Sequence, residues 1–359
     1  MYLRYKHQLK YCKGIENLPS NVSEKVIRRH IQINEATKII YCGIEKAGST
    51  FWRRFFQYLN KRIVQSPYNI KPEKVAENHV DIRKTNLVKL LGLLQLSTKF
   101  IFVRNPYTRL LSGYVDKIYS PNPYYWKLGA KAVRHARKIE TPCGHDTTFK
   151  EFVDYIIHAH DRKLERDEHF IPGHEMCIPC QIQYNYIGKI ETFIGDTFYI
   201  LEKLNLTQYL PYLKDFKKQS ISDAIYDVSQ AFVKFRKGAS KCLRSDDSLK
   251  RIWRKLQIRG IIANELKFPF NLNDSRFMQE RELSKALEIA HKQSQTYDLK
   301  TQKQSHLIKA YRTIPLETMF KLADVYKLDF KIFDYEQFPI DLFQNRSSSL
   351  SDIFSINTS

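Results

Sequence analysis

The chain has 359 residues, enough for one large domain or two small ones, and its 43% hydrophobic and 13% aromatic residues exclude a globally disordered protein. Lysine and arginine number 59 against 38 aspartate and glutamate residues, which gives a formal net charge of +21. This charge favours a polyanionic partner, such as nucleic acid, an anionic membrane, a phosphate-bearing cofactor or an acidic glycan, but does not choose among them.

No apolar segment is long enough to span a bilayer. The longest, residues 87–96 (LVKLLGLLQL), is short and contains Lys89 and Gln95. The basic N-terminus lacks the apolar core of a signal peptide. We therefore expect either a protein that is not inserted in a membrane or a sequence that lacks its N-terminal anchor.

The first part of the chain predicts two strands, each followed by a helix. Residues 1–36 are polar and basic, which predicts a tail or linker. Residues 38–43 (KIIYCG) predict a buried strand, followed by a loop and an aromatic-rich helix from Phe51 to Asn60. Residues 99–103 (KFIFV) predict a second strand, and Pro106 begins a helix that is predicted to reach Ile118.

The remaining segments alternate between helix, strand and loop. In chain order they are a loop over 119–147, a helix over 148–159, a strand over Tyr184–Gly188, a helix over 191–204, a basic helical insertion over 213–262, a helix from Ile314 to Leu328 and a disordered tail over 341–359. Strands that alternate with helices predict an α/β fold, a P-loop-like and mostly parallel sheet flanked by helices, in one main domain over 37–340.

Six cysteines lie at positions 12, 42, 143, 177, 180 and 242, and their even number permits disulfides. Cys177 and Cys180 form a CIPC motif. Zinc is one interpretation, but no second CxxC or HxxxH pair completes a tetrahedral site. We expect both to be oxidised, with each other or with other cysteines, in an oxidising lumen. Asn-x-Ser/Thr triplets also fit a lumenal location, although the triplet arises by chance: Asn21, Asn205, Asn273, Asn345 and Asn357.

The first candidate site is the loop between the first strand and its helix, GIEKAGST over Gly43–Thr50. Backbone N–H groups at a helix N-terminus converge on an anion, and the helix dipole favours it. A Walker A loop places lysine after its second glycine, where this chain has Ser49; its own lysine is Lys46. No strand ends in an obvious Mg²⁺-binding aspartate. The loop thus predicts a phosphate ligand without Mg·ATP hydrolysis, while an ordinary capped βα turn would give the same pattern.

The second candidate site follows the second strand. Arg104 lies at the strand end, and Ser112 follows eight residues later, about two turns into the next helix. A strand-end guanidinium and a helical hydroxyl can converge on a second phosphate. The alternative is a solvated basic helix face, which we adopt for Lys117.

These elements resemble the carbohydrate sulfotransferases that use 3′-phosphoadenosine 5′-phosphosulfate (PAPS). IEKAGSTFW resembles their 5′-phosphosulfate loop, and FVRNPYTRLLSGYVDK resembles their 3′-phosphate motif. DEHFIPGHEMCIPCQIQYNYIGKIETFIGD is similar to a stretch of the Golgi chondroitin and dermatan 4-O-sulfotransferase-like group, and IPLETMFKLADVYKLDFKIFDYE to its closing segment. The resemblance covers about residues 38–204 and 305–336.

Three residues depart from the family pattern. Asn105 stands where the family usually has Asp or Glu, Ser49 where this group often has Cys, and Phe170 where Trp is usual. None of the changes removes a group that the chemistry needs. The segment 213–262 has no clear counterpart, so the acceptor sugar is not indicated.

The resemblance implies transfer of a sulfuryl group from PAPS to a carbohydrate hydroxyl, with no metal required in principle. It places Lys46 at the bridging oxygen and the 5′-phosphate, where it stabilises developing charge. The implied donor-binding groups are the backbone amides of Ala47, Gly48, Ser49 and Thr50 at the 5′-phosphate, and Arg104 with Ser112 at the 3′-phosphate.

His79 is the predicted general base. It lies in NHVDI, between the two phosphate motifs, where some related sulfotransferases carry a catalytic histidine followed by valine. His169, His174 and Glu45 are the other candidates. The non-catalytic alternatives are a surface-loop position for His79, a structural role for His169 and a solvated loop position for Glu45.

The basic surplus fits an acidic glycan as the acceptor. Candidates for an acceptor groove are Arg53, Arg54, Lys61, Arg62 and the cluster over 131–138 (KAVRHARK), although each alone also fits a solvated basic surface. The resemblance implies the Golgi lumen. Nucleic acid is not expected, because no binding module is recognisable. A non-catalytic polyanion-binding protein on the same fold and a P-loop nucleotide kinase are the alternatives, and the oligomeric state is not indicated.

Overall fold

The computed structural model describes residues 1–13, 28–60, 66–71, 74–75, 85–213, 215–344 and 353–354. The strands of these residues are β1 (Ile31–Asn34), β2 (Ile39–Cys42), β3 (Thr98–Val103) and β4 (Tyr186–Lys189). Their helices are α1 (Tyr2–Cys12), α2 (Ser49–Leu59), α3 (Leu87–Leu96), α4 (Pro106–Tyr114), α5 (Pro123–Arg137), α6 (Phe149–Asp161), α7 (Gly173–Cys177), α8 (Phe193–Lys203), α9 (Phe216–Ala239), α10 (Ser245–Ile258), α11 (Leu272–Phe277), α12 (Glu280–Gln293), α13 (Leu299–Arg312), α14 (Leu316–Val325), α15 (Lys327–Ile332) and α16 (Ile340–Phe343). Within the described residues, no helix is both long enough and apolar enough to cross a membrane.

The chain divides into two compact units. The residues of the single domain predicted over 37–340 are distributed over both units. The first unit consists of Met1–Arg109, Asp167–Gln219 and Tyr326–Gln337. The second consists of Leu110–Arg166, Ser220–Val325 and Phe338–Ser359.

The first unit contains a mixed sheet in the order β1-β2-β3-β4. β1 pairs with β2 in the antiparallel sense, whereas β2 with β3 and β3 with β4 are parallel. Cys42 lies opposite Ile101, and Val103 lies opposite Lys189. These strands confirm the α/β class. Because parallel strands end at the same edge, the loops that follow β2, β3 and β4 leave the sheet together.

Both faces of the sheet are covered, because the central strands β2 and β3 carry apolar side chains on both sides. On one face, Tyr41 and Phe102 pack with Trp52 of α2 in a cluster that also includes residues of α8. On the other face, Ile101 packs in a cluster with Met176 of α7 and with residues of α1 and α15. Helices therefore cover the sheet on both sides.

The N-terminal segment is part of the first unit. The prediction that residues 1–36 form a tail is therefore wrong for the residues of this segment that the structure describes. β1 is the antiparallel edge strand of the sheet. A disulfide joins Cys12, at the end of α1, to Cys180. Arg4 also donates to Asp196 at the start of α8, at 2.5 Å. Helix α1 and strand β1 were not predicted, because the basic composition of this segment is also typical of a tail.

The second unit is helical, and a helix is present where a loop was predicted over 119–147. This helix, α5, begins at Pro123, where a proline is tolerated because the first N–H of a helix has no acceptor. The segment 213–262 is helical as predicted. Its helices α9 and α10 supply buried side chains such as Phe232 and Trp253 to the core of this unit.

The C-terminal segment over 341–359 was predicted to be disordered, and this is wrong for its described part. Helix α16 extends to Phe343. Ile353 is 2% exposed, and its carbonyl accepts a hydrogen bond from Arg254 at 2.7 Å. The ring of Phe354 packs at the edge of Tyr114.

The six cysteines form three disulfides, Cys12–Cys180, Cys42–Cys177 and Cys143–Cys242. The predicted oxidation of the CIPC cysteines is confirmed, and each is paired with a distant cysteine. Because both sulfurs are in disulfides, the zinc interpretation of this motif is wrong. Disulfides of this kind are typical of proteins that fold in an oxidising compartment.

We expect peptide mapping without reduction to recover the three cross-linked peptide pairs named above. The chain should be expressed in a secretory host, since pairing needs an oxidising lumen. A peptide containing a Cys177–Cys180 bond, or free thiols at both positions, would contradict the arrangement.

Candidate functional site

The candidate site is formed by loops that follow the parallel strands. β2 ends at Cys42 and α2 begins at Ser49, which confirms the predicted strand, loop and helix. Two residues of the loop adopt left-handed backbone angles, Lys46 with φ of 67° and Gly48 with φ of 79°. The loop is therefore a tight, specific turn that directs the chain into the first turn of α2.

Glycine is favoured at position 48 both by the backbone angle and by the surroundings. A Cβ atom at this position would lie 3.1 Å from the side chains of Ile190 and Phe193. A side chain would also disfavour the left-handed angle. The loop backbone thus approaches the beginning of α8 closely, and glycine is favoured at this position.

The N-terminus of α2 offers backbone donors. The first N–H groups of a helix have no acceptor within the helix, and here these belong to residues 49–51. The N–H of Ala47, by contrast, donates to the carbonyl of Ile44 at 3.2 Å. The predicted set of four amides is therefore reduced, since the amide of Ala47 stabilises the loop itself.

A buried ion pair joins the loop to helix α2. Glu45 and Arg53 form a salt bridge with side chains only 13% and 15% exposed. The hydroxyl of Ser49 donates to the second carboxylate oxygen of Glu45 at 3.0 Å. Burial alone raises the pKa of Glu45, but the charges of Arg53 and His169 and the hydrogen bonds lower it to about 2. Glu45 is therefore ionised and too weak a base to accept a proton from an alcohol near neutral pH.

This pair corrects two predictions from the sequence. Glu45 is not a solvated loop residue. Arg53 and Arg54 do not line an acceptor groove, because Arg53 is paired with Glu45 and Arg54 is only 2% exposed. Lys61 and Arg62 lie outside the described residues. Ser49 and Arg53 lie four residues apart on one face of α2, but Glu45 lies in the loop before the helix, so spacing alone does not indicate the ion pair.

Arg104 connects the second loop to the first. Its Nη1 donates to the carbonyl of Lys46 at 3.2 Å, and its Nε donates to Thr108 Oγ1 at 3.0 Å. The structure thus brings together two residues that were predicted to bind different phosphates. Ser112 is half-buried on α4 and belongs to the second unit.

Asn105, which stands where the family usually has Asp or Glu, caps the N-terminus of α4. Its side-chain oxygen accepts from the backbone N–H groups of Tyr107 at 3.0 Å and Thr108 at 3.3 Å. Asparagine and aspartate are both good helix N-caps, so Asn105 retains the capping that an aspartate would provide for α4.

Two candidate bases have carboxylate partners. His169 Nδ1 lies 2.7 Å from Asp167, and His174 Nδ1 lies 2.8 Å from the buried Asp329. A carboxylate can only accept, so Nδ1 is the donor in both hydrogen bonds. Burial raises the pKa of Asp329, but the hydrogen bond and charge of His174 outweigh burial and lower it. His79 lies outside the described residues.

The basic cluster over 131–138 lies in the second unit, on α5 and its end. Arg134 pairs with Glu140, and Arg137 pairs with Asp146 and Glu151. Internal acids therefore neutralise part of this cluster. Its role as an acceptor surface stays a prediction, and Lys131 and Lys138 are its exposed lysines.

Comparisons with known proteins show the family of the chain. The model described as "Sulfotransferase family" matches residues 29–256, which is more than half of the chain. The chain is 28% identical over 237 residues to carbohydrate sulfotransferase 14 of Danio rerio, covering 62% of this chain and 64% of that protein. It is 32% identical over 224 residues to carbohydrate sulfotransferase 9 of Homo sapiens, covering 59% of this chain and 49% of that protein. No solved structure matches the chain.

The chain therefore belongs to the sulfotransferase family, as its motifs predicted. The relatives that it matches are named as carbohydrate sulfotransferases, among them carbohydrate sulfotransferase 11 of Mus musculus, 31% identical over 194 residues, which are 51% of this chain and 55% of that protein. The matched regions span about half to two thirds of these relatives.

We expect Glu45→Gln to reduce the free energy of unfolding at pH 7 by about 3 kcal/mol, because it leaves the buried Arg53 charge without its partner. The pKa of Glu45 is about 2 in the folded protein, below its ordinary value of 4.5. Its stabilising contribution is therefore complete above pH 4.5 and is lost as the pH falls towards 2. Denaturant unfolding of wild type and variant between pH 7 and pH 2 measures this difference.

The matched control is Glu317→Gln, which removes an exposed carboxylate paired with Lys321. An exposed ion pair contributes little, so this variant should unfold like the wild type. A difference for Glu45→Gln that stays constant down to pH 2 would show that the loss does not come from ionisation of Glu45.

Proposed function

We propose that this protein is a PAPS-dependent carbohydrate O-sulfotransferase. The observation that carries the proposal is the hydrogen bond from Arg104 to the carbonyl of Lys46, which joins the two phosphate motifs at one edge of the sheet. Membership of the sulfotransferase family supports the reaction, and the names of the relatives support a carbohydrate acceptor.

The residues of the loop fit an anionic donor. Donors at the N-terminus of α2, the helix dipole and the charge of Lys46 favour a 5′-phosphate and the sulfate beside it. The backbone of Gly48, Ser49 and Thr50 would contribute the amides, while the hydroxyl of Ser49 stays with Glu45. PAPS supplies the sulfuryl group, and Lys46 would neutralise charge at the bridging oxygen.

Arg104 and Ser112 would hold the 3′-phosphate. This assignment rests on the motif in the sequence and on the position of Arg104 beside the Lys46 carbonyl. A guanidinium carries five N–H donors in a planar fork, a geometry that suits a phosphate.

An acidic glycan is the proposed acceptor, and the Golgi lumen is the proposed location. The net charge of +21 favours a polyanion. Three disulfides fit an oxidising lumen. His79 is the proposed general base, and His169 is the alternative, since its ring is oriented by Asp167.

A transfer assay tests the function. Labelled PAPS is incubated with a panel of desulfated glycosaminoglycans and N-glycans, and the label in the glycan is counted. We expect transfer by the wild type and a loss of roughly 10²-fold or more for Lys46→Ala, the size expected for a lost electrostatic stabiliser. Glycan binding without transfer would favour the non-catalytic alternative, and Mg²⁺-dependent ATP turnover would favour a kinase.

Arg104→Ala and Ser112→Ala should weaken binding of adenosine 3′,5′-bisphosphate more than that of adenosine 5′-phosphosulfate, because only the former carries the 3′-phosphate. For Arg104→Ala we expect roughly tenfold weaker binding or more, as for a lost charge-assisted hydrogen bond. Isothermal titration measures both ligands, with the exposed Arg134→Ala as the control. Equal losses for the two nucleotides would mean that these residues hold the fold and not the 3′-phosphate.

His79→Ala should lower kcat by roughly 10²-fold or more, as expected when a proton-transfer group is lost. The KM for PAPS should change little, because the imidazole would face the acceptor. His169→Ala and His174→Ala are measured beside it, together with the pH profile of kcat. Near-normal turnover of His79→Ala, with a loss in His169→Ala, would transfer the role of base to His169.

A further inference from the structure

A third loop leaves the same edge of the sheet, and the proposed function does not use it. β4 ends at Lys189, opposite Val103 of β3. A short 3₁₀ turn, Ile190–Thr192, follows and leads into α8. This turn lies in the part YNYIGKIET of the family-like stretch DEHFIPGHEMCIPCQIQYNYIGKIETFIGD, and no role was predicted for this part.

Glu191, in this turn, contacts the loop that carries Arg104. Its Oε1 accepts the backbone N–H of Asn105 at 3.0 Å. Its Oε2 accepts the hydroxyl of Tyr335 at 2.9 Å. Asn105 directly follows Arg104, so one carboxylate fixes the backbone beside the guanidinium and ties it to the C-terminal part of the first unit.

Tyr335 is itself held in place. The ammonium of Lys189 lies 4.2 Å from the centre of its ring, within the range of a cation–π interaction. The same ammonium donates to the carbonyl of Asp334 at 2.8 Å. Burial, together with the charge of Glu191, raises the pKa of Tyr335, so its hydroxyl remains a donor to Glu191. The two family-like segments, one around β4 and one after α15, therefore form a single network.

This network constrains the peptide after Arg104, while the guanidinium of Arg104 contacts Thr108 and the Lys46 carbonyl. Both the backbone and the side chain of the residue that would recognise the 3′-phosphate are thus anchored. Pre-organisation of this kind raises affinity because less conformational freedom is lost on binding.

We propose that Glu191 and Tyr335 are positioning residues that orient Arg104 for the 3′-phosphate of an adenosine nucleotide. The inference rests on the proposed function. It predicts that the pair controls selectivity for a 3′-phosphorylated nucleotide, with little influence on binding of the rest of the nucleotide.

Isothermal titration with adenosine 3′,5′-bisphosphate and with adenosine 5′-monophosphate tests the proposal. Glu191→Gln removes the charge at nearly constant size, and Tyr335→Phe removes one hydroxyl and keeps the ring over which Lys189 lies. For each variant we expect roughly three- to tenfold weaker binding of the bisphosphate, the size of one lost hydrogen bond, and unchanged binding of the monophosphate. The controls are Glu202→Gln, an exposed carboxylate on α8, and Tyr212→Phe, an exposed tyrosine.

A second measurement separates positioning from a general structural role. In an Arg104→Ala background, Glu191→Gln should cause no further loss of bisphosphate affinity, because residues that act through one another are not additive. Additive losses, or equal losses for both nucleotides, would overturn the proposal. If Glu191→Gln does not fold, Tyr335→Phe decides by the same criteria. A wild type that binds the monophosphate but shows no preference for the bisphosphate would overturn the proposed function as well.

Discussion

The parallel pairing of β2, β3 and β4 is the constraint on which the candidate site depends. Lys46, Arg104 and Glu191 are far apart in the sequence, yet each follows the end of one of these strands. A shift of one residue in the register would exchange the two faces of a strand. Here the faces differ, because aromatic residues of β2 and β3 pack on Trp52, whereas aliphatic residues and Cys42 pack towards α7. The difference between the two cores fixes the register and therefore the relative positions of the loops.

The CIPC motif adds covalent support to the same region. Cys177 is joined to Cys42, the last residue of β2, and Cys180 is joined to Cys12 at the end of α1. The backbone reverses between the two cysteines, where Ile178 has a left-handed φ of 37°. The motif is therefore a branch point that connects the sheet on one side and the N-terminal helix on the other. Both bonds close long loops, which in the chain-entropy view destabilises the unfolded state.

The sequence was most informative where local chemistry determines structure. The strand, loop and helix around Lys46 and the proline at the start of α4 could be recognised from apolar runs, glycine and proline alone. The partners of the cysteines could not, because they depend on how distant segments pack. The same holds for Arg53, whose burial is decided by the acid beneath it. Helix α5 was missed because its tyrosines, proline and lysines are also typical of loops, although its Pro123 marks a helix start.

Acidic residues lie beside the proposed phosphate site, where their charge would oppose an anion. Glu45 precedes Lys46 directly, and an unpaired carboxylate there would repel a phosphate. Its charge is balanced by Arg53 at close range, and its second oxygen is used by Ser49. Both carboxylate oxygens of Glu191 likewise accept hydrogen bonds from groups of the protein, the N–H of Asn105 and the hydroxyl of Tyr335. Glu45 thus accepts from the side chains of Ser49 and Arg53, whereas Glu191 accepts from one backbone N–H and one side chain. In the proposed function, the anion is then bound by the cations and by the amides of the first turn of α2. The carboxylates of Glu45 and Glu191 therefore hold the two loops in place. The loops in turn position the positive groups, Lys46 and Arg104.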